Sequence, residues 1–96
     1  MPTKELGEQA EAGAGSTDTA LTLGEILQQE RLRRGLSEKE IADRLHITKH
    51  YVRALEANSF EKLPGAVFAK GYIKNYALVL NLDASELIRL YEEFSR

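Results

Sequence analysis

The run Gly35–Leu55, GLSEKEIADRLHITKHYVRAL, restricts the fold more than any other part of the chain. Ser37 followed three residues later by Glu40 has the spacing of a capping box, which satisfies free N–H groups at a helix start. The predicted helix runs to Leu45, with Ile41, Ala42 and Leu45 on one face. His46 and Ile47 make a turn, and Thr48 can accept from the first N–H groups of a second helix. That helix is predicted to bury Tyr51, Val52 and Leu55 and to leave Lys49, His50 and Arg53 in solvent. Two helices joined by so short a turn read as a helix-turn-helix.

The rest of the chain is helical by the same criteria. A first helix is expected from Thr22 to Arg34, with Leu23, Ile26 and Leu27 inward and Gly35 as its terminator. Arg31, Arg33 and Arg34 favour the negative end of its dipole. Asn58-Ser59 breaks the pattern, Phe60 and Leu63 close the underside of the core, and Pro64-Gly65 turns the chain into a fourth helix, Gly65–Leu80. A fifth begins at Asp83, where Asp83 and Glu86 repeat the capping-box spacing and Leu87, Leu90, Tyr91 and Phe94 form an apolar stripe. No alternating run or hairpin signal is present, so the fold class is all-α, a five-helix bundle containing a helix-turn-helix. Residues 1–21 carry one Lys against four acidic side chains and few large apolar ones. They read as a disordered acidic tail, either an interaction segment or a spacer, ahead of a domain at 22–96.

The fourth helix carries more apolar surface than one buried face needs. At about 100° per residue, Ala66, Ala69, Ile73, Tyr76, Ala77 and Leu80 share a sector that reads as the core stripe. Phe68, Tyr72, Asn75 and Val79 gather roughly opposite, and Lys70 and Lys74 lie on one flank. Phe68 and Tyr72 are then covered either internally, with this helix central in the bundle, or by an external partner.

The residues Leu23-Gly24, Arg31, Gly35-Leu36-Ser37 and Glu56 resemble the Cro-type helix-turn-helix pattern. That resemblance implies an ion pair between Glu56 and Arg31, with Arg34 as second choice. The segment Val67-Phe68-Ala69-Lys70-Gly71-Tyr72-Ile73-Lys74-Asn75-Tyr76-Ala77 further resembles the signature that follows the helix-turn-helix in the RodZ family of bacterial cell-shape proteins. The resemblance extends over residues 22 to about 94. It implies a cytoplasmic domain at the inner face of the membrane that binds the bacterial actin MreB through an aromatic pair. Here the pair is Phe68 and Tyr72, with Lys70 and Lys74 as charged neighbours. Members normally continue into a basic linker, one spanning helix and a periplasmic domain, so this chain is expected to be a cytoplasmic fragment or a shortened relative.

Other chemistry has little support. The net charge of −2 argues against a dedicated nucleic-acid binder, although residues 31–53 hold seven basic and three acidic side chains. That local excess is either a phosphate-facing surface or a solvated face with one Arg held by Glu56. The competing function is sequence-specific DNA binding by the third helix, about Lys49–Asn58, through Lys49, His50 and Arg53. Its exposed part has no Asn or Gln to read adenine, though Arg53 could read guanine. The chain has no Cys, which removes disulfides and thiolate metal sites and suits a reducing compartment. His46 and His50 straddle the turn rather than sharing a helix, so they are not expected to hold a metal. Gly13-Ala14-Gly15 lacks the Lys of a phosphate loop. No enzyme activity and no cofactor are expected, and no segment has the pattern of a signal peptide or a membrane span.

Overall fold

The structure, a computed structural model, describes residues 21–95. Apart from Leu21, the expected acidic tail lies outside the described residues. The described residues form α1 (Leu23–Arg33), α2 (Glu38–Leu45), α3 (Lys49–Glu56), a 3-10 turn at Phe60–Lys62, α4 (Ala66–Val79) and α5 (Ala84–Phe94). The chain is thus all-α, with the helix-turn-helix in α2 and α3.

Side chains set the starts of α1, α2, α3 and α5. The Ser37 hydroxyl accepts from the Glu40 N–H at 3.0 Å, and the Glu40 carboxylate accepts from the Ser37 N–H at 2.8 Å. Thr22 and Glu25 close a second box of the same kind, so Thr22 stands before α1 rather than inside it. Thr48 caps α3 by accepting from the Tyr51 N–H. At Asp83 only half of the expected box forms. Its carboxylate accepts from the Ser85 and Glu86 N–H groups, but the Glu86 carboxylate turns to Arg89 instead of reaching back.

The first four helices end with one device. Gly35, His46, Asn58 and Asn81 hold left-handed backbone, with φ of 69°, 58°, 59° and 60°. Each lets the following N–H return to the last turn: Leu36 to the Arg31 carbonyl, Ile47 to Ala42, Ser59 to Ala54 and Leu82 to Ala77, all at 2.8–3.0 Å. Only Gly35 adopts this conformation without steric cost. His46 does so against the clash of its Cβ. The substitution His46→Gly is therefore expected to raise stability by about 0.5–1 kcal/mol, as an increased denaturation midpoint. A lowered midpoint would mean that the imidazole contributes more than its backbone costs.

The core is built from Leu27, Ile41, Val52, Leu55, Ile73, Tyr76 and Leu80, all fully buried. α4 runs through the middle, packed on α5 at one side and on α2 at the other, while α1 lies against α3 and α5. Ala66, expected in the core stripe, is the first residue of α4 and is exposed; burial begins one turn later at Ala69. Phe94 is also exposed. It ends the stripe of α5 with its ring edge-on to Phe60, which in turn meets Tyr91 edge-on.

Candidate functional site

The buried arc of α4 comprises Ala69, Ile73, Tyr76 and Ala77, and buried Leu80 continues it just past the helix end. Phe68 and Tyr72 then fall on the flank that faces α3, not opposite the core. Phe68 is 53% exposed. Tyr72 is half-buried, its ring stacked on Tyr51 with centroids 6.0 Å apart and planes 25° from parallel. Phe68 continues the row, 6.3 Å from Tyr72. Neither expected covering describes this pair fully: Tyr72 is covered on one side by the helix-turn-helix, and the ring of Phe68 is left to solvent. Tyr51, expected to be buried, is half-buried instead, packed at the margin of the core with its ring against Tyr72. The result is an aromatic row, Tyr51–Tyr72–Phe68, that crosses from α3 to α4.

The charged neighbours lie elsewhere. Lys70 is two residues from both Phe68 and Tyr72, about 160° round the helix. Its ammonium pairs with Glu92 of α5 at 2.9 Å. Lys74 is on the same side and exposed, with no ion pair among the described residues. Between the two flanks the outward face presents Val67, 83% exposed, and Leu78, 60% exposed.

A buried polar cluster fixes α4 relative to the helix-turn-helix. The Arg31 guanidinium donates to both carboxylate oxygens of Glu56, at 2.7 and 3.1 Å, and to the Leu36 carbonyl at 2.9 Å. The Tyr76 hydroxyl donates a short hydrogen bond to the same carboxylate. Burial and this hydrogen bond both push the Tyr76 hydroxyl well above its usual range, so it stays a donor. The hydrogen bonds to Glu56 likewise hold the Arg31 guanidinium in its charged form, against the opposing effect of burial. The Glu56–Arg31 pair implied by the Cro-type resemblance is formed, and Arg34 takes no part in it.

The basic run 31–53 does not make one cationic surface. Arg31 is buried, Lys39 pairs with Asp43 and Arg53 with Glu38. Arg33 and Arg34 both grip Glu30, and their hydrogen bonds hold its carboxyl down at about 2. Of the seven basic side chains in that run, only Arg44 and Lys49 make no ion pair among the described residues. His50 and Arg53 line an open cleft of about 270 Å³ together with Ala54, Ala57, Ser59 and Lys62. Lys49 does not line it. Lys62, brought in by the 3-10 turn, had no signal in sequence spacing.

Fold and site together define a helix-turn-helix bundle whose added helices carry an aromatic face. The chain belongs to the helix-turn-helix domain family whose model matches residues 26–87. It is 31% identical over 74 residues to the cytoskeleton protein RodZ of Streptococcus pneumoniae, covering 77% of this chain and 27% of that protein. An uncharacterised protein of Haemophilus influenzae is 35% identical over 71 residues, covering 73% of this chain and 23% of the relative. The chain thus spans about a quarter of the length of these relatives. Among solved structures it is similar to YmfM, a candidate DNA-binding membrane protein from Staphylococcus aureus. The TM-score is 0.71 at 32% identity, over 76% of this chain and 89% of that one. The biofilm regulator SinR, solved in complex with DNA, shares the fold at a TM-score of 0.52 and 22% identity, over 70% of this chain and 98% of its own. The resemblance to the RodZ family drawn from the α4 segment therefore holds over most of the chain. Among the described residues, no helix is long and apolar enough to cross a membrane.

Proposed function

We propose that this chain is a non-catalytic interaction module, the cytoplasmic part of a membrane-anchored cell-shape protein. It binds the actin-like protein MreB through α4 and links its filaments to the membrane elongation machinery. The observation that carries the reading is the Phe68 ring, more than half exposed at the end of a row with Tyr72 and Tyr51. A large apolar ring with a fixed neighbour and no cover is the kind of anchor that protein interfaces use. Similarity to a protein named for the cytoskeleton supports the choice of partner. The contact is assigned to Phe68 and Tyr72 with Tyr51 beside them. Lys74 serves as a charged neighbour on the far rim, and Lys70 is already engaged by Glu92.

The second reading is duplex DNA at α3, through Lys49, His50 and Arg53. The cleft that His50 and Arg53 share with Lys62 favours it, and the occupation of Arg53 by Glu38 opposes it. Co-sedimentation with MreB filaments, run beside a DNA mobility shift at two salt concentrations, separates the readings. Phe68→Ala and Tyr72→Ala are each expected to weaken pelleting more than about tenfold, the usual consequence of truncating a central aromatic anchor. Phe68→Ala should leave the melting midpoint nearly unchanged, because its ring is mostly in water. Lys49→Ala with Arg53→Ala should pellet like the unaltered chain. A chain that ignores filaments but shifts DNA, with affinity falling steeply as salt rises, would establish the second reading instead.

A further inference from the structure

We infer that Gly71 is the point of closest approach between α4 and the filament subunit, whose surface lies directly across the helix there. This inference rests on the docking reading above. The buried residues Ala69, Ile73, Tyr76 and Ala77 centre the inward arc of α4. Counting about 100° per residue, Gly71 falls within roughly 20° of the point diametrically opposite that arc. A Cβ built on Gly71 would meet nothing within 4 Å. Among the described residues Gly71 therefore has no packing reason, although glycine in a helix interior is unfavourable relative to alanine. Gly24 is the contrast. There an added Cβ would lie 2.2 Å from the Glu56 carbonyl oxygen, so the fold itself explains that glycine. The remaining physical use of a glycine on a helix surface is to let another molecule reach the backbone.

The surroundings of Gly71 suit such an approach. Phe68 stands on one side, and Val67 and Leu78 on the other, all exposed. They flank Gly71 along the outer face of α4, with the aromatic row on one side. α4 contains no acidic residue, and Lys74 on the rim makes no ion pair among the described residues. A second copy packed helix on helix at Gly71 would offer Lys74 no carboxylate in either orientation, because its own α4 has none. The occupant that fits is a different protein, the filament subunit, offering an apolar ridge with an acidic side chain at its edge.

The test is Gly71→Ala and Gly71→Leu in the full chain, with Phe68→Ala in parallel, read by melting and by co-sedimentation with MreB filaments. Gly71→Ala is expected to raise the melting midpoint by roughly 4–8 °C, because it removes a helix-interior glycine in a domain of this size. It is also expected to weaken pelleting by about tenfold, because the added methyl occupies the line of approach. Gly71→Leu should stay folded and not pellet at all. If both Gly71 variants pellet normally while Phe68→Ala does not, the inference is wrong and the docking reading stands. If Phe68→Ala also pellets normally, the docking reading has failed and the inference with it. A lowered midpoint for Gly71→Ala would mean that the domain itself fills the space beside Gly71, and would overturn the inference at its premise.

Discussion

Gly24→Ala is expected to remove about 3 kcal/mol or more of stability, leaving little or no cooperative melt. The added Cβ would sit 2.2 Å from the Glu56 carbonyl oxygen, 2.6 Å from its carbonyl carbon and 2.8 Å from the Leu55 carbonyl oxygen. All three are backbone atoms of α3, so no side-chain rotation relieves the clash, and the two helices must move apart. That movement also strains the Gly24 N–H, which donates to the Asn58 side chain at 2.9 Å. The Asn58 amide in turn donates to the Thr22 hydroxyl. A domain of about 75 residues has roughly 4–11 kcal/mol in total, so the loss takes a large share of it. Gly71→Ala is the same chemical change with the opposite expected sign. A melt of Gly24→Ala within a few degrees of the unaltered chain would mean that α1 and α3 pack less closely than described.

Glu56→Ala should cost about 3–5 kcal/mol by chemical denaturation, because it strands a buried charge. The side chains of Arg31 and Glu56 are only 7% and 4% exposed. Removing the carboxylate leaves the Arg31 guanidinium with the Leu36 carbonyl alone, and leaves the Tyr76 hydroxyl without its acceptor. Glu56→Gln keeps the shape and one acceptor but loses the charge, so its loss should be clearly smaller. Tyr76→Phe, which leaves the ion pair whole, should cost about 1–3 kcal/mol. A Glu56→Ala variant within about 1 kcal/mol of the unaltered chain would place the pair among exposed ones, against the burial described here.

The helix-turn-helix was readable because its determinants are local. Ser37 and Glu40 find each other three residues apart, and Gly35 marks the end of α1 in the sequence as it does in space. The features that escaped depend on residues distant in the chain. Tyr51 lies at the edge of an apolar arc, and whether that edge is buried is decided by Tyr72, 21 residues further on. Ala66 has the spacing of a core residue, but it is exposed at the start of α4, one turn ahead of the first buried position, Ala69. The basic excess of residues 31–53 dissolves because Glu30, just outside that window, takes Arg33 and Arg34, while Glu38 crosses to Arg53. Asp83 and Glu86 have capping-box spacing, yet Arg89 captures Glu86 from the next turn. Glycines show the limit most clearly. Gly24 and Gly71 are the same letter in two helices, and only the distances to neighbouring atoms separate a packing requirement from an open surface.

At the site, residue spacing was enough to place Phe68 and Tyr72 outside the buried arc of α4. The assignment of Lys70 and Lys74 as neighbours of that pair was weaker. Both share the helix with Phe68 and Tyr72, but they stand on its far flank, and Lys70 is drawn to Glu92. Lys62 joins His50 and Arg53 only because the 3-10 turn folds it back under α3.

The most direct test of the account is an amide chemical-shift titration of the labelled chain with MreB. The account predicts that the perturbed amides cluster along the outer face of α4, at Val67, Phe68, Gly71, Tyr72 and Asn75, and extend to Tyr51 on α3. Perturbations confined to Lys49, His50, Arg53 and Lys62, or no perturbation at saturating MreB, would contradict it.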